Sequence, residues 1–295
     1  MIEKTAMVSI VGRPNVGKST LVNTMVGEKI AIVTNKPQTT RNRIYAVLNR
    51  EDTQMVFIDT PGFHKARTRL GDYMVKAARE SIADVDVSLL VVEPVARVGI
   101  QEQELIARIK AAGVSAVLVI NKIDTVPKET ILSVIGAYEK EHDFDAVIPI
   151  SAKLSEGTDI LLNALMDYAI PGPQLFPEGM ISDQPEKQIC AEIVREKLLL
   201  LLDKEIPHGT AVEVTKFSER DNEIIDLDVT IYCEKQSHKG IIIGKKGAML
   251  KKIGEQARTE IESFMGTKVF LQTWVKVKEN WRDSQSQLKN FGYIE

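Results

Sequence analysis

Residues 12–20 read GRPNVGKST, with an apolar run, AMVSIVG (6–12), before them and a helix-like pattern after Gly17. The spacing Gly12-x4-Gly17-Lys18-Ser19 is that of a phosphate cradle. Glycines let successive backbone N–H groups converge on phosphate oxygens, and a helix N-terminus adds its positive dipole end. Asn15, Val16 and Thr20 complete the loop and the first helical turn, Lys18 can reach β- and γ-phosphates, and the Ser19 hydroxyl can ligate Mg²⁺. A strand before the loop and a helix after it distinguish it from a chance glycine turn.

Working outward, apolar strand patterns alternate with helix patterns. RIYAVLN (43–49) and TQMVFID (53–59) are followed by a helix near 70–83, a strand at VDVSLLVVE, a helix near 101–112 and a strand at SAVLVIN. A further helix near 127–140, a strand at AVIPIS and a helix near 156–169 complete the series. Apolar strands separated by helices predict an α/β domain with a mainly parallel sheet and helices on both faces.

Three later segments choose the nucleotide. Asp59-Thr60-Pro61-Gly62 follows a strand; Asp59 can hold Mg²⁺ through water, and the Gly62 N–H can meet a γ-phosphate. Asn121-Lys122-Ile123-Asp124 closes another strand. The Asp124 carboxylate can accept both N1–H and N2–H₂ of guanine, whereas adenine would leave it unpaired. Ser151-Ala152-Lys153 ends the last strand, where its backbone can meet guanine O6. Four motifs in order, each at a strand end, predict a site at the carboxyl edge of the sheet.

These residues resemble the translation-factor-related P-loop GTPases. The resemblance adds a Mg²⁺-capping threonine from a first switch spanning 28–42. Within KPQTTR (36–41) that residue is Thr40, with Thr39 the alternative. Lys18, Thr40, Asp59 and Gly62 are then the catalytic set, and Ser19, Thr40 and Asp59 the metal set. Ras-like members place a water-orienting glutamine after the third motif; here the position is Phe63, which cannot orient water by hydrogen bonding. Slow intrinsic hydrolysis is expected. Some members with an asparagine in the phosphate loop use K⁺ as an added positive charge, which makes K⁺ a candidate at Asn15. Arg41 and His64 are candidate helpers in hydrolysis, with a structural or partner-facing role expected first.

IPGPQLFPEGMISDQPEK (170–187) has four prolines and no periodicity. The expected organisation is a domain over 1–171, a linker over 172–186 and a second domain over 187–295. The second domain reads helix (187–203), two strands with a turn at Arg220 to Asn222, helix, glycine turn, helix, strand and a short final helix. Gly244-Lys245-Lys246-Gly247 sits between the two helices, and 235–252 carries six lysines and no carboxylate. This α+β order with its GxxG turn resembles a type II KH domain, in which such a loop clamps single-stranded nucleic acid. Gly244, Lys245, Lys246, Gly247 and Lys251 are the expected RNA contacts, and Trp281 beside Arg282 a candidate stacking platform. Trp274, in an alternating strand, and Ile241 to Ile243 are expected in the core.

The chain has 295 residues, 44% apolar and 27% charged, with net charge −3. That suits two soluble domains and excludes a bulk basic footprint. No apolar run approaches the ~20 residues of a membrane span. The N-terminus does not read as a secretory signal, and Cys190 and Cys233 are expected reduced and buried in a cytoplasmic protein.

The pairing of GRPNVGKS, QTTR, DTPG and NKID with a C-terminal KH domain resembles the Era family of bacterial GTPases over essentially the whole chain. The resemblance implies a GTP/GDP switch with Mg²⁺. It implies partners at the 3′ end of small-subunit ribosomal RNA and on the small ribosomal subunit, and peripheral association with the inner face of the cell membrane. A monomer is expected. An RNA-binding protein with an inert nucleotide domain, and a P-loop ATPase or kinase, are the competing classes; intact Lys18, Ser19, Asp59 and Asp124 argue against the first, and Asn121 to Asp124 against the second.

Overall fold

The computed structural model describes residues 2–62, 68–82, 84–220 and 223–293. Phe63, His64 and part of the turn after Arg220 therefore lie outside the described residues.

The first unit holds a sheet of order β2-β3-β1-β4-β5-β6, formed by β1 (Lys4–Val11), β2 (Ile44–Arg50), β3 (Thr53–Asp59), β4 (Val87–Val92), β5 (Ser115–Ile120) and β6 (Ala146–Pro149). β1 runs parallel to β3 and β4, and β4, β5 and β6 continue in the same sense; β2 is antiparallel to β3. The central strands are apolar on both sides because both faces are covered. Val8, Ile10, Leu89, Val91 and Val119 face one core with α1 (Lys18–Val26) and α5 (Thr158–Met166). Leu90, Val92, Leu118 and Ile120 face another, under α2 (Arg69–Glu80), α3 (Ile100–Ala112) and α4 (Lys128–Tyr138). Parallel strands put the ends of β1, β3, β5 and β6 on one edge, which positions the four motifs.

The proline-rich stretch is less free than its composition suggests. β7 (Ile170–Pro171) pairs antiparallel with Lys4 and Thr5 of β1, and Ser182 bridges Ala46. The buried Gln54 side chain explains the hold: its Oε1 accepts from the N–H groups of Leu175 and Phe176, both at 2.8 Å, and its Nε2 donates to the Phe176 carbonyl at 2.9 Å. A buried amide needs these partners. The first unit accordingly extends to Asp183.

The second unit contains α6 (Glu186–Leu201), β8 (Thr210–Glu219), β9 (Ile225–Cys233), α7 (Gln236–Ile243), α8 (Ala248–Met265), β10 (Val269–Val277) and α9 (Gln285–Asn290). β9 is central, antiparallel to β8 and parallel to β10. On β9, Ile225, Leu227, Val229, Ile231 and Cys233 face a core with Ile193, Val194 and Leu198 of α6 and Ile253, Ala257 and Ile261 of α8. Period two on the strand meets period 3.6 on the helices. Cys190 and Cys233 are free and buried, and burial pushes the Cys190 thiol up to about 12.

Residues 32–39 also cluster with this second unit. The Arg195 guanidinium donates to the Thr39 carbonyl, and the Val33 N–H donates to Glu196 Oε1 at 2.8 Å. Arg69, from a second such stretch, donates its N–H to Asp283 Oδ1 at 3.0 Å.

A phosphate loop, a base-recognition loop and a GxxG turn

The loop after β1 is built as its glycines require. Gly17 is left-handed at φ 101°, and a Cβ there would stand 2.2 Å from Asn121 Nδ2; at Gly12 it would stand 2.4 Å from the Val91 carbonyl oxygen. Helix α1 begins at Lys18, so the loop's N–H groups and the helix end converge. Lys18 is buried, and its ammonium donates to the carbonyls of Gly12 (3.1 Å) and Arg13 (2.9 Å). Burial lowers its pKa to about 8 against the countervailing charge of Asp59. Thr20 is half-buried in the first turn of α1.

Three oxygens meet at the start of α1. Ser19 Oγ donates to Asp59 Oδ2 at 2.7 Å, Ser19 and Thr40 share a hydroxyl–hydroxyl hydrogen bond of 2.8 Å, and Thr40 Oγ1 reaches Asp59 Oδ2 at 3.5 Å. Asp59 is fully buried, which raises its pKa, and its Oδ1 has no hydrogen-bond partner among the described residues. Hard oxygen donors around a buried carboxylate are the set Mg²⁺ takes with phosphates and water. The Thr39 hydroxyl turns away, to the Lys36 carbonyl at 2.7 Å, so Thr40 is the threonine at this corner. Gly62 comes close to the same loop: a Cβ there would lie 2.8 Å from Pro14 N.

The base-recognition loop is tied to the phosphate loop. Asn121 Nδ2 donates to the Val16 carbonyl at 2.8 Å, while Asn121 Oδ1 accepts from the Ala152 N–H at 2.9 Å. Lys122 donates to the Asn15 carbonyl at 2.6 Å, and Ser151 Oγ donates to Asp124 Oδ1 at 2.6 Å. Asp124 and Lys153 are exposed. One aspartate is thus oriented by the serine of the next motif. Sequence reasoning missed Thr24, which donates to the Ala152 carbonyl at 2.9 Å, and Glu93 and Glu102, which pair with Arg13. No local pattern marks them, because their partners are remote in sequence.

In the second unit, Gly244 has φ 73° and ψ 174°, and a Cβ there would stand 2.7 Å from Met249 Cβ. Only glycine fits that turn. Lys246 and Gly247 are left-handed, at φ 53° and 80°, and Lys245, Lys246, Lys251 and Lys252 are exposed. Ile242 is core as expected, whereas Ile241 is exposed.

The two tryptophans exchange the expected places. Trp281 is fully buried, donates its Nε1–H to the Gly209 carbonyl at 3.0 Å, and packs on Phe291 and Tyr293. It is a structural anchor and cannot stack a base. Trp274 is 43% exposed, since β10 is an edge strand whose outer row (Phe270, Gln272, Trp274, Lys276) is uncovered.

These features define a P-loop GTPase domain followed by a KH domain. Family models agree: residues 7–122 match a 50S ribosome-binding GTPase family and residues 205–282 a KH domain. The chain is 53% identical to GTPase Era of Ruminiclostridium cellulolyticum, covering 99% of this chain and 98% of that one. It is 50% identical to GTPase Era of Clostridioides difficile, covering 98% of each. A solved structure of Era in complex with MgGDPNP and nucleotides 1506–1542 of 16S ribosomal RNA is 37% identical, with TM-score 0.94, covering 99% of this chain and all of that one. A variant of Aquifex aeolicus Era bound to GDP and AlF4⁻ gives the same identity, TM-score and coverage. The chain belongs to the Era family of GTPases.

Proposed function

We propose that this chain is a GTP-hydrolysing switch that binds the 3′ region of small-subunit ribosomal RNA and acts in assembly of the small ribosomal subunit. The observation that carries the switch is the meeting of Thr40 with Ser19 and Asp59, which ties a segment between α1 and β2 to the metal corner. The related Era bound to MgGDPNP and 16S nucleotides supports the choice of ligands.

In this reading Lys18 moves from the Gly12 and Arg13 carbonyls onto the β- and γ-phosphates. Asp124, held by Ser151, accepts N1–H and N2–H₂ of guanine. Ser19, Thr40 and Asp59 would hold Mg²⁺, which supplies charge neutralisation across the β- and γ-phosphates. The Gly62 N–H meets the γ-phosphate. No glutamine follows Gly62, so intrinsic hydrolysis is slow; K⁺ held near Asn15 would supply added positive charge, and equal turnover in K⁺ and Na⁺ would remove that ion from the account. In the chain, Thr40 directly follows Thr39, whose carbonyl Arg195 binds. Loss of the γ-phosphate releases Thr40 and perturbs that neighbour, and RNA affinity changes with it. Gly244 to Gly247, with Lys245, Lys246 and Lys251, clamp the RNA backbone.

The same family reading carries a monomer in the cytoplasm with peripheral contact at the inner membrane face; among the described residues no helix is long and apolar enough to cross a membrane. The test is single-turnover GTP hydrolysis together with RNA binding. GTP hydrolysis without RNA binding would send the KH domain to a different RNA or a protein partner.

A further inference from the structure

At the end of β4, Glu93 stands between the two loops that would grip the nucleotide. Its Oε1 accepts from the Lys122 ammonium at 2.5 Å, and its Oε2 lies 3.8 Å from the Arg13 guanidinium. Lys122 belongs to the base-recognition loop and Arg13 to the phosphate loop. The same ammonium donates to the Asn15 carbonyl at 2.6 Å, so one lysine spans both loops, and Glu93 fixes the end of the span. Arg13 is anchored a second time by the buried Glu102 of α3. Lys122 and Asn15 both have left-handed backbones, at φ 66°, so each loop holds a residue in a conformation its surroundings must maintain.

We propose that Glu93 is a positioning residue for nucleotide binding: its carboxylate ties Arg13 to Lys122 and so fixes the distance between the phosphate loop and the base-recognition loop. It touches neither the reacting phosphates nor the base. The proposal rests on the guanine-nucleotide reading of the site. Fixing loop spacing helps GDP, GTP and the transition state alike, so losing it raises KM and leaves kcat unchanged. About a third of each of the three side chains is exposed, which limits the effect. A charge-assisted network of this kind carries about a fivefold change in affinity.

The experiment measures dissociation of a fluorescent GDP analogue and steady-state GTP hydrolysis for the full chain, Glu93→Gln, Lys122→Met and the double variant, with thermal melts alongside. The expected result is GDP release about fivefold faster in Glu93→Gln, a KM raised to match, kcat within about twofold and an unchanged melting temperature. In the Lys122→Met background the same substitution has almost no effect, because its partner is gone. GDP release at the wild-type rate in Glu93→Gln, or an undiminished effect in the Lys122→Met background, overturns the role given to Glu93. A wild-type chain that binds no guanine nucleotide overturns the underlying reading instead, and the unsubstituted control makes the two failures distinguishable.

Discussion

The Thr40 hydroxyl lies 2.8 Å from the Ser19 hydroxyl, and both face the same buried oxygen of Asp59. Ser19 is fixed by α1 and Asp59 by β3, so Thr40 is the one member drawn from an irregular segment. Thr40→Ala should lower affinity for a GTP analogue with Mg²⁺ by about tenfold and leave GDP affinity within about twofold, as expected for one lost charge-assisted contact. Equal losses for both nucleotides would mean that Thr40 serves the loop's structure and does not sense the γ-phosphate.

Ser151 orients Asp124 through one carboxylate oxygen. Asp124→Asn replaces an acceptor by a donor and should shift preference from GTP to XTP by about a hundredfold, because a buried polar mismatch is rejected strongly. Competition between the two nucleotides is the measurement; retained GTP preference would place base selection elsewhere.

Burial holds Lys18 at about 8. Phosphate favours the charged ammonium, so its pKa rises on binding and the complex takes up protons wherever the empty site has lost them. Uptake should be near zero at about pH 7 and grow toward about pH 8.5, with affinity falling over the same window. Calorimetry in buffers of different ionisation enthalpy reads this directly. Proton-neutral binding throughout would contradict the buried state of Lys18.

Trp281→Ala should cost about 3–5 kcal/mol, the range for large aromatic truncations, with an added penalty from the orphaned Gly209 carbonyl. Trp274→Ala should stay within about 1 kcal/mol, as for an exposed side chain. Denaturant unfolding of both variants checks the exchange of roles between the two rings.

That exchange shows where sequence reasoning reached its limit. The alternating strand pattern put Trp274 in the core, but which face of a strand is covered depends on what packs against the sheet. β10 lies at the edge, and its outer row is bare. Trp281 beside Arg282 looks like a surface pair, yet Arg282 is engaged by Glu234 and the indole fills the interior. The nucleotide motifs were legible because glycines and short spacings carry their geometry locally. Gly17, Lys18, Ser19, Asp59 and Asn121 meet where four strand ends predict. Choosing Thr40 over Thr39 rested on family pattern; in the fold the Thr40 hydroxyl meets Ser19, while the Thr39 hydroxyl bonds the Lys36 carbonyl. Glu93 and Gln54 were invisible, since each acts through partners scattered along the chain.

Lys245→Ala with Lys246→Ala should weaken RNA binding and reduce the slope of log affinity against log salt by about 1.4, from about 0.7 per single-strand phosphate contact. An unchanged slope would place the RNA away from the GxxG turn.

The central claim is that the nucleotide gates RNA binding. The direct measurement is the Kd for a short RNA carrying the small-subunit 3′ end, with a GTP analogue and with GDP, at fixed salt and against a scrambled RNA. The account predicts tight, sequence-selective binding with the GTP analogue and clearly weaker binding with GDP; by linkage, the RNA then favours GTP over GDP to the same degree. The same Kd in both nucleotide states would contradict it.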